Sequence, residues 1–116
     1  MSSDLVSIVD FFPTVAEIRG RAYSHSIDGH SLVPIMNGHA GVAKTIYAEK
    51  FPKNNAPPNP AKWDQALMME GYKLISDGSA GTRRLYAMPG ETYIPESQFT
   101  KQDARAYRFL AQELPK

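Results

Sequence analysis

With 116 residues, 42% of them hydrophobic, the chain is long enough for one modest core and too short for two. Thirteen basic against twelve acidic side chains give a formal charge of +1, and the halves are balanced, with four basic and five acidic residues in 1–50. Such a distribution argues against a nucleic-acid partner, no apolar run reaches the roughly 20 residues of a membrane span, and the lack of cysteine excludes disulfides, thiolate nucleophiles and sulfur-ligated zinc.

Leu5, Val6, Ile8 and Val9 form a short apolar run compatible with a strand end or an early helical turn. Asp10 then fits a helix N-cap, and Pro13 falls in the first turn, where its missing N–H costs little. Phe12, Val15, Ala16 and Arg19 follow at helical spacing before Gly20, which predicts a helix over 11–19. Phe11 and Ile18 widen its apolar surface beyond a thin stripe. After a polar connection, Asp28-Gly29 is a turn pair, Ser31 a cap, and Leu32 to Met36 one or two helical turns stopped by Asn37-Gly38.

Thr45 to Glu49 has strand composition, and the PKNNAPPNP run of 52–60 excludes a regular element. Trp63 to Met69 and Tyr72 to Ser76, joined at Glu70-Gly71, read as a β-hairpin, and Arg84 to Met88 adds a third strand after the turn at Asp77-Gly78. The last segment is a helix capped by Thr100 with Asp103 three residues on. Its apolar face is Ala104, Tyr107, Leu110, Ala111 and Leu114. The expected fold class is α+β: a three- to four-stranded antiparallel sheet covered by the C-terminal helix and preceded by short helices. The organisation reads as 1–50 with two short helices and a strand, a Pro/Asn-rich loop at 51–61, and the sheet and helix at 62–116.

The residues that catalysis would need are sparse. No serine sits in a G-x-S-x-G elbow, capping accounts for Ser31, and Ser76 and Ser79 flank a hairpin turn. His25, Asp28 and His30 are the one combination with metal-ligating chemistry, yet their spacing matches no ligand motif, and His39 follows the Asn37-Gly38 stop. Glu91 and Glu96 lie in a loop, and Trp63, Tyr72, Tyr86 and Tyr93 suit cross-strand packing better than a site. No phosphate-binding glycine loop occurs. Lys50 and Lys53, just past the first strand, are the best placed cations for an anionic substrate at the lip of a neighbouring domain.

Read together, Val6 to Thr14 and Asp28 to Gly38 resemble the C-terminal third of the sulfatase family, within the alkaline phosphatase superfamily. The shared patterns are V-D-(apolar)-x-P-T and D-G-x-S-L-x-P-x-(apolar)-x-G. Ile46 to Glu49, Gly71 to Ile75 and Leu85-Tyr86 are similar to the family's tail and come in its order. The tail departs from the family at Ala87 to Glu91, where members often carry an Asp and then a D-P-x-E-x-x-N-L run. The resemblance implies a sulfuric ester hydrolase whose oxidised Cys or Ser nucleophile and divalent metal, usually calcium, belong to regions upstream of the stretch that matches. It gives this chain no catalytic and no metal-ligating residue, and leaves Lys50 and Lys53 as the substrate-binding candidates. The first 50 residues would then be the edge of a sulfatase-like α/β domain, and the expected partner a missing N-terminal catalytic domain, or a second copy. The other expectation from the sequence is a standalone, non-enzymatic structural or binding module derived from a sulfatase tail, folding alone or as a homo-oligomer. Nothing in the chain assigns a compartment.

Overall fold

The alternation of Gln65, Leu67 and Met69 with Asp64, Ala66 and Met68 is a period of two, which sends one set of side chains to each face of a strand. In the computed structural model, which describes residues 2–22, 26–42, 44–50 and 62–115, this segment is the second strand of a five-stranded sheet. The strands are β1 (Ile46–Lys50), β2 (Asp64–Met69), β3 (Tyr72–Asp77), β4 (Thr82–Ala87) and β5 (Thr92–Ile94), and the helices are α1 (Phe11–Ile18), α2 (Val33–Met36) and α3 (Lys101–Glu113). The fold class is α+β, with one strand more than the three to four expected. The addition is β5, whose three residues are too few for a periodic signal but pair with Leu85, Tyr86 and Ala87.

All neighbouring strands are antiparallel and follow chain order. The β2–β3 turn is Glu70-Gly71, with Gly71 at φ 81, a conformation that a side chain would disfavour. The registers set Leu67 opposite Leu74, Leu74 opposite Leu85 and Leu85 opposite Ile94. This apolar row crosses the sheet, and α3 lays Leu110 and Leu114 against it. Leu74, Leu85 and Leu110 are fully buried.

The α3 cap forms as its sequence predicts. The Thr100 hydroxyl accepts from the Asp103 N–H at 3.2 Å, and the Asp103 carboxylate accepts from the Thr100 N–H at 2.8 Å. Asp103 also accepts the Tyr72 hydroxyl proton at 2.8 Å, tying the helix start to β3. These bonds, the Thr100 N–H first, hold the Asp103 carboxyl below its ordinary value, while the same carboxylate raises Tyr72. The buried side of α3 runs through Asp103, Ala106 and Leu110, with Tyr107 and Ala111 packed beside the core. Ala106 therefore joins the expected face, and Ala104 lies at its margin.

The chain divides into two compact units, Met1–Lys44 and Thr45–Lys116. Strand β1, grouped by composition with the first fifty residues, pairs along its whole length with β2. Among the described residues the buried hydrophobic core, Leu67, Leu74, Leu85, Ala106, Leu110 and Leu114, belongs to the second unit, and the first buries Pro13. Leu110→Ala should lower the free energy of unfolding by about 2–5 kcal/mol in urea denaturation followed by circular dichroism, through lost burial and the cavity left under the sheet.

Candidate functional site

The first unit has a polar centre. Its helix α1 is preceded by a single 3-10 turn, Ile8–Asp10, so the residue in extended backbone at the start of the helical stretch is Ser7, at φ −130 and ψ 156. Asp10 is accordingly not the side-chain cap of α1 that its position suggested. Its carboxylate reaches back to accept from the Ser7 N–H at 2.8 Å and across to the His30 N–H at 2.9 Å, and it forms an ion pair with the Lys44 ammonium. One turn on, Thr14 donates its hydroxyl proton to the Asp10 carbonyl at 2.6 Å and accepts from the Leu32 N–H at 2.9 Å. Asp10 and Thr14 are both buried.

These bonds join the two motifs singled out in the sequence. The segment before α2 must pass close to the entry of α1 for its N–H groups at 30 and 32 to reach Asp10 and Thr14. Gly29 makes that passage possible. A Cβ there would sit 2.0 Å from the Val9 carbonyl oxygen, a backbone atom that has no other place to go. Ser31 is not the N-cap of α2, a position that Leu32 takes without a side-chain cap bond, and its hydroxyl instead accepts from the Val33 N–H at 3.2 Å in the turn before the helix. Pro34 follows in the first turn of α2.

The Asp10 carboxyl lies at about 2, below the usual 3.8. Burial, the largest influence, pushes it upward, and the His30 N–H, the Lys44 ammonium and the Ser7 N–H together outweigh that push. With these three donors engaged, the carboxylate is a structural anchor rather than an acid or base open to a substrate.

Around this polar centre Pro13 is buried, Leu5, Ile27, Leu32, Val33 and Ile35 are half-buried, and many of the large apolar side chains face outward. Val6, Ile8, Val9, Phe11, Phe12, Val15, Ile18, Met36 and Val42 are all exposed, Ile8 by 86% and Phe11 by 68%. At about 100° per residue, Phe11, Val15 and Ile18 share one side of α1, and Phe12, Ala16 and Arg19 the adjoining side. Together they cover far more than the stripe a surface helix buries. Phe12, Val15, Ala16, Arg19, Arg21 and Ala22 line an open groove of about 330 Å³.

The other candidates stay apart. Lys50 is exposed at the end of β1, in register with Asp64, while Lys53 lies outside the described residues. His25 also lies outside them. Asp28, His30 and His39 are exposed, and His30 serves the site through its backbone N–H alone. Ser79 is bonded to Asp77, Glu91 is paired with Lys73, and Tyr86 packs on Tyr93 at 5.7 Å between ring centres. Among the described residues no three His, Asp or Glu side chains converge to hold a metal ion. No described helix is long and apolar enough to cross a membrane. Comparison with family models and with curated proteins finds no match to the chain.

Lys44 is the participant that the sequence did not disclose, since 34 residues separate it from Asp10 and no pattern links them. Thr14 was visible only as the last residue of its motif.

Two outcomes test this junction. Thr14→Val should leave the Leu32 N–H without its acceptor, at about 1–3 kcal/mol, and speed hydrogen exchange at the Leu32 amide at least about ten-fold, whereas Thr14→Ser should retain protection. For Asp10 the folded value lies below the unfolded one, so its stabilisation is complete above about pH 4 and is lost as the pH falls towards 2. Protection of the His30 amide should fall over that window, and the step should be absent in Asp10→Asn.

Proposed function

We propose that the chain is the C-terminal part of a sulfatase-like sulfuric ester hydrolase, inactive alone, whose first unit is a joint against a preceding catalytic domain. One observation carries this reading: among the described residues of the first unit Pro13 is the one fully buried apolar side chain, while nine large hydrophobic residues stand exposed. A unit of this kind contributes little hydrophobic stabilisation to itself, and an exposed apolar surface of this extent is what an interface requires. The hydrogen bonds that the His30 and Leu32 N–H groups donate to Asp10 and Thr14 add support, because they join the same two motifs on which the sulfatase resemblance rests.

In this reading the nucleophile, an oxidised Cys or Ser, and the divalent metal belong to the preceding domain. Lys50 and Lys53 would supply positive charge towards an anionic ester. The same exposed side chains also favour a second reading, a non-enzymatic module in which another copy of the chain covers them.

Sequencing the DNA upstream of the Met1 codon should reveal an in-frame Cys/Ser-x-Pro-x-Arg nucleophile motif. Native mass measurement of the purified chain should find monomer prone to aggregation. An intergenic sequence with a stop codon upstream, together with a defined dimer, would replace the first reading by the second.

A further inference from the structure

The two units differ in what opening each of them costs. Among its described residues the first fully buries one apolar side chain, Pro13, and its buried polar side chains, Asp10 and Thr14, are bonded within the unit, to Ser7, His30, Leu32 and Lys44. The second closes a row of leucines between its sheet and α3, with Leu74, Leu85 and Leu110 fully buried. Apolar burial is the larger source of stability, and each hydrogen bond adds little net. The first unit is therefore the weaker of the two.

What holds it acts as a set. The Asp10 carboxylate draws its donors from three stretches of chain, at Ser7, His30 and Lys44, and Lys44 is the last residue of the unit. Withdrawing one donor leaves a buried charge short of partners, which devalues the bonds that remain. The segment at 28–32 belongs to the same set, because Gly29 is buried against the Val9 backbone and the Leu32 N–H is bonded to Thr14. Partial release gains nothing.

We infer that the first unit is a latch, which opens and closes as one piece on an equilibrium of its own while the sheet and α3 stay folded. Local openings of this kind give one segment of a chain a stability different from the rest. The closed form holds nine large apolar side chains in a fixed arrangement, and the open form does not. A molecule that binds only the closed form draws the equilibrium towards it by mass action, so binding is converted into order in the unit Met1–Lys44 alone.

Native-state hydrogen exchange on the full chain, repeated at rising urea below the main transition, tests this. The amides of Ser7, His30 and Leu32 report the first unit, because each donates to a buried side chain there, and those of Leu74, Leu85 and Leu110 report the second. The first three should share one opening constant, at least about a hundred-fold larger than that of the second three. Its urea dependence should be at most about half as steep, since less surface is exposed by the opening. Lys44→Met should speed exchange at Ser7, His30 and Leu32 by one common factor of at least about ten, up to complete loss of protection, and leave Leu74, Leu85 and Leu110 unchanged. Equal constants and slopes in the two sets would overturn the inference, because the chain then unfolds as one. Unlike constants among Ser7, His30 and Leu32, no protection at any of them in the unaltered chain, or a Lys44→Met effect that reaches the second set would overturn it as well. None of these results bears on the upstream DNA, so the sulfatase-like reading stands or falls separately.

Discussion

The Asp10 carboxylate, buried and met by two backbone N–H groups and an ammonium, is the interaction on which the first 44 residues depend. A buried charge is tolerable only when its partners are in place, and here they come from three separate stretches of chain, at Ser7, His30 and Lys44. Fixing Asp10 therefore fixes the 3-10 turn before α1, the crossing of the 28–32 segment and the end of the unit at once. Thr14 repeats the arrangement one turn later with neutral groups. Gly29 is the steric condition for both, since the crossing brings backbone against backbone.

The two units are organised on opposite principles. The second holds a row of leucines between a sheet and an amphipathic helix, and its polar bonds, such as Tyr72 to Asp103, lie at the margin of that core. In the first, hydrogen bonds occupy the centre and phenylalanine, isoleucine and valine face outward. Polar networks of this sort give a segment a definite shape, while their net stabilisation is small once the desolvation of the groups is counted. A shape held in this way, with apolar groups on its outside, suits an element that another surface completes.

Much of the second unit was legible because its signals are local. The stretches Trp63 to Met69 and Tyr72 to Ser76 on either side of the Glu70-Gly71 turn marked β2 and β3, and Thr100 with Asp103 marked the start of α3 within a residue. Strand β5 was hidden because three residues carry no period and pair only once β4 is present. Ala106 was passed over because alanine carries too little apolar weight to stand out in a helical pattern. In the first unit the helices were legible, and the role of Asp10 was not. An aspartate ahead of Phe-Phe-Pro looks like a helix cap, and only the nearness of His30 and Lys44 turns its carboxylate inward.

The sequence by itself determined the α+β class, the α3 cap and the segments that become α1 and α2, because those depend on residues a few positions apart. The tertiary structure alone decided that Asp10, Thr14, His30, Leu32 and Lys44 meet, and that nine large apolar side chains of the first unit face outward. Both are questions of which distant groups come together. A carboxylate's partners and the exposed side of a helix are set by what packs around them, which no local pattern records.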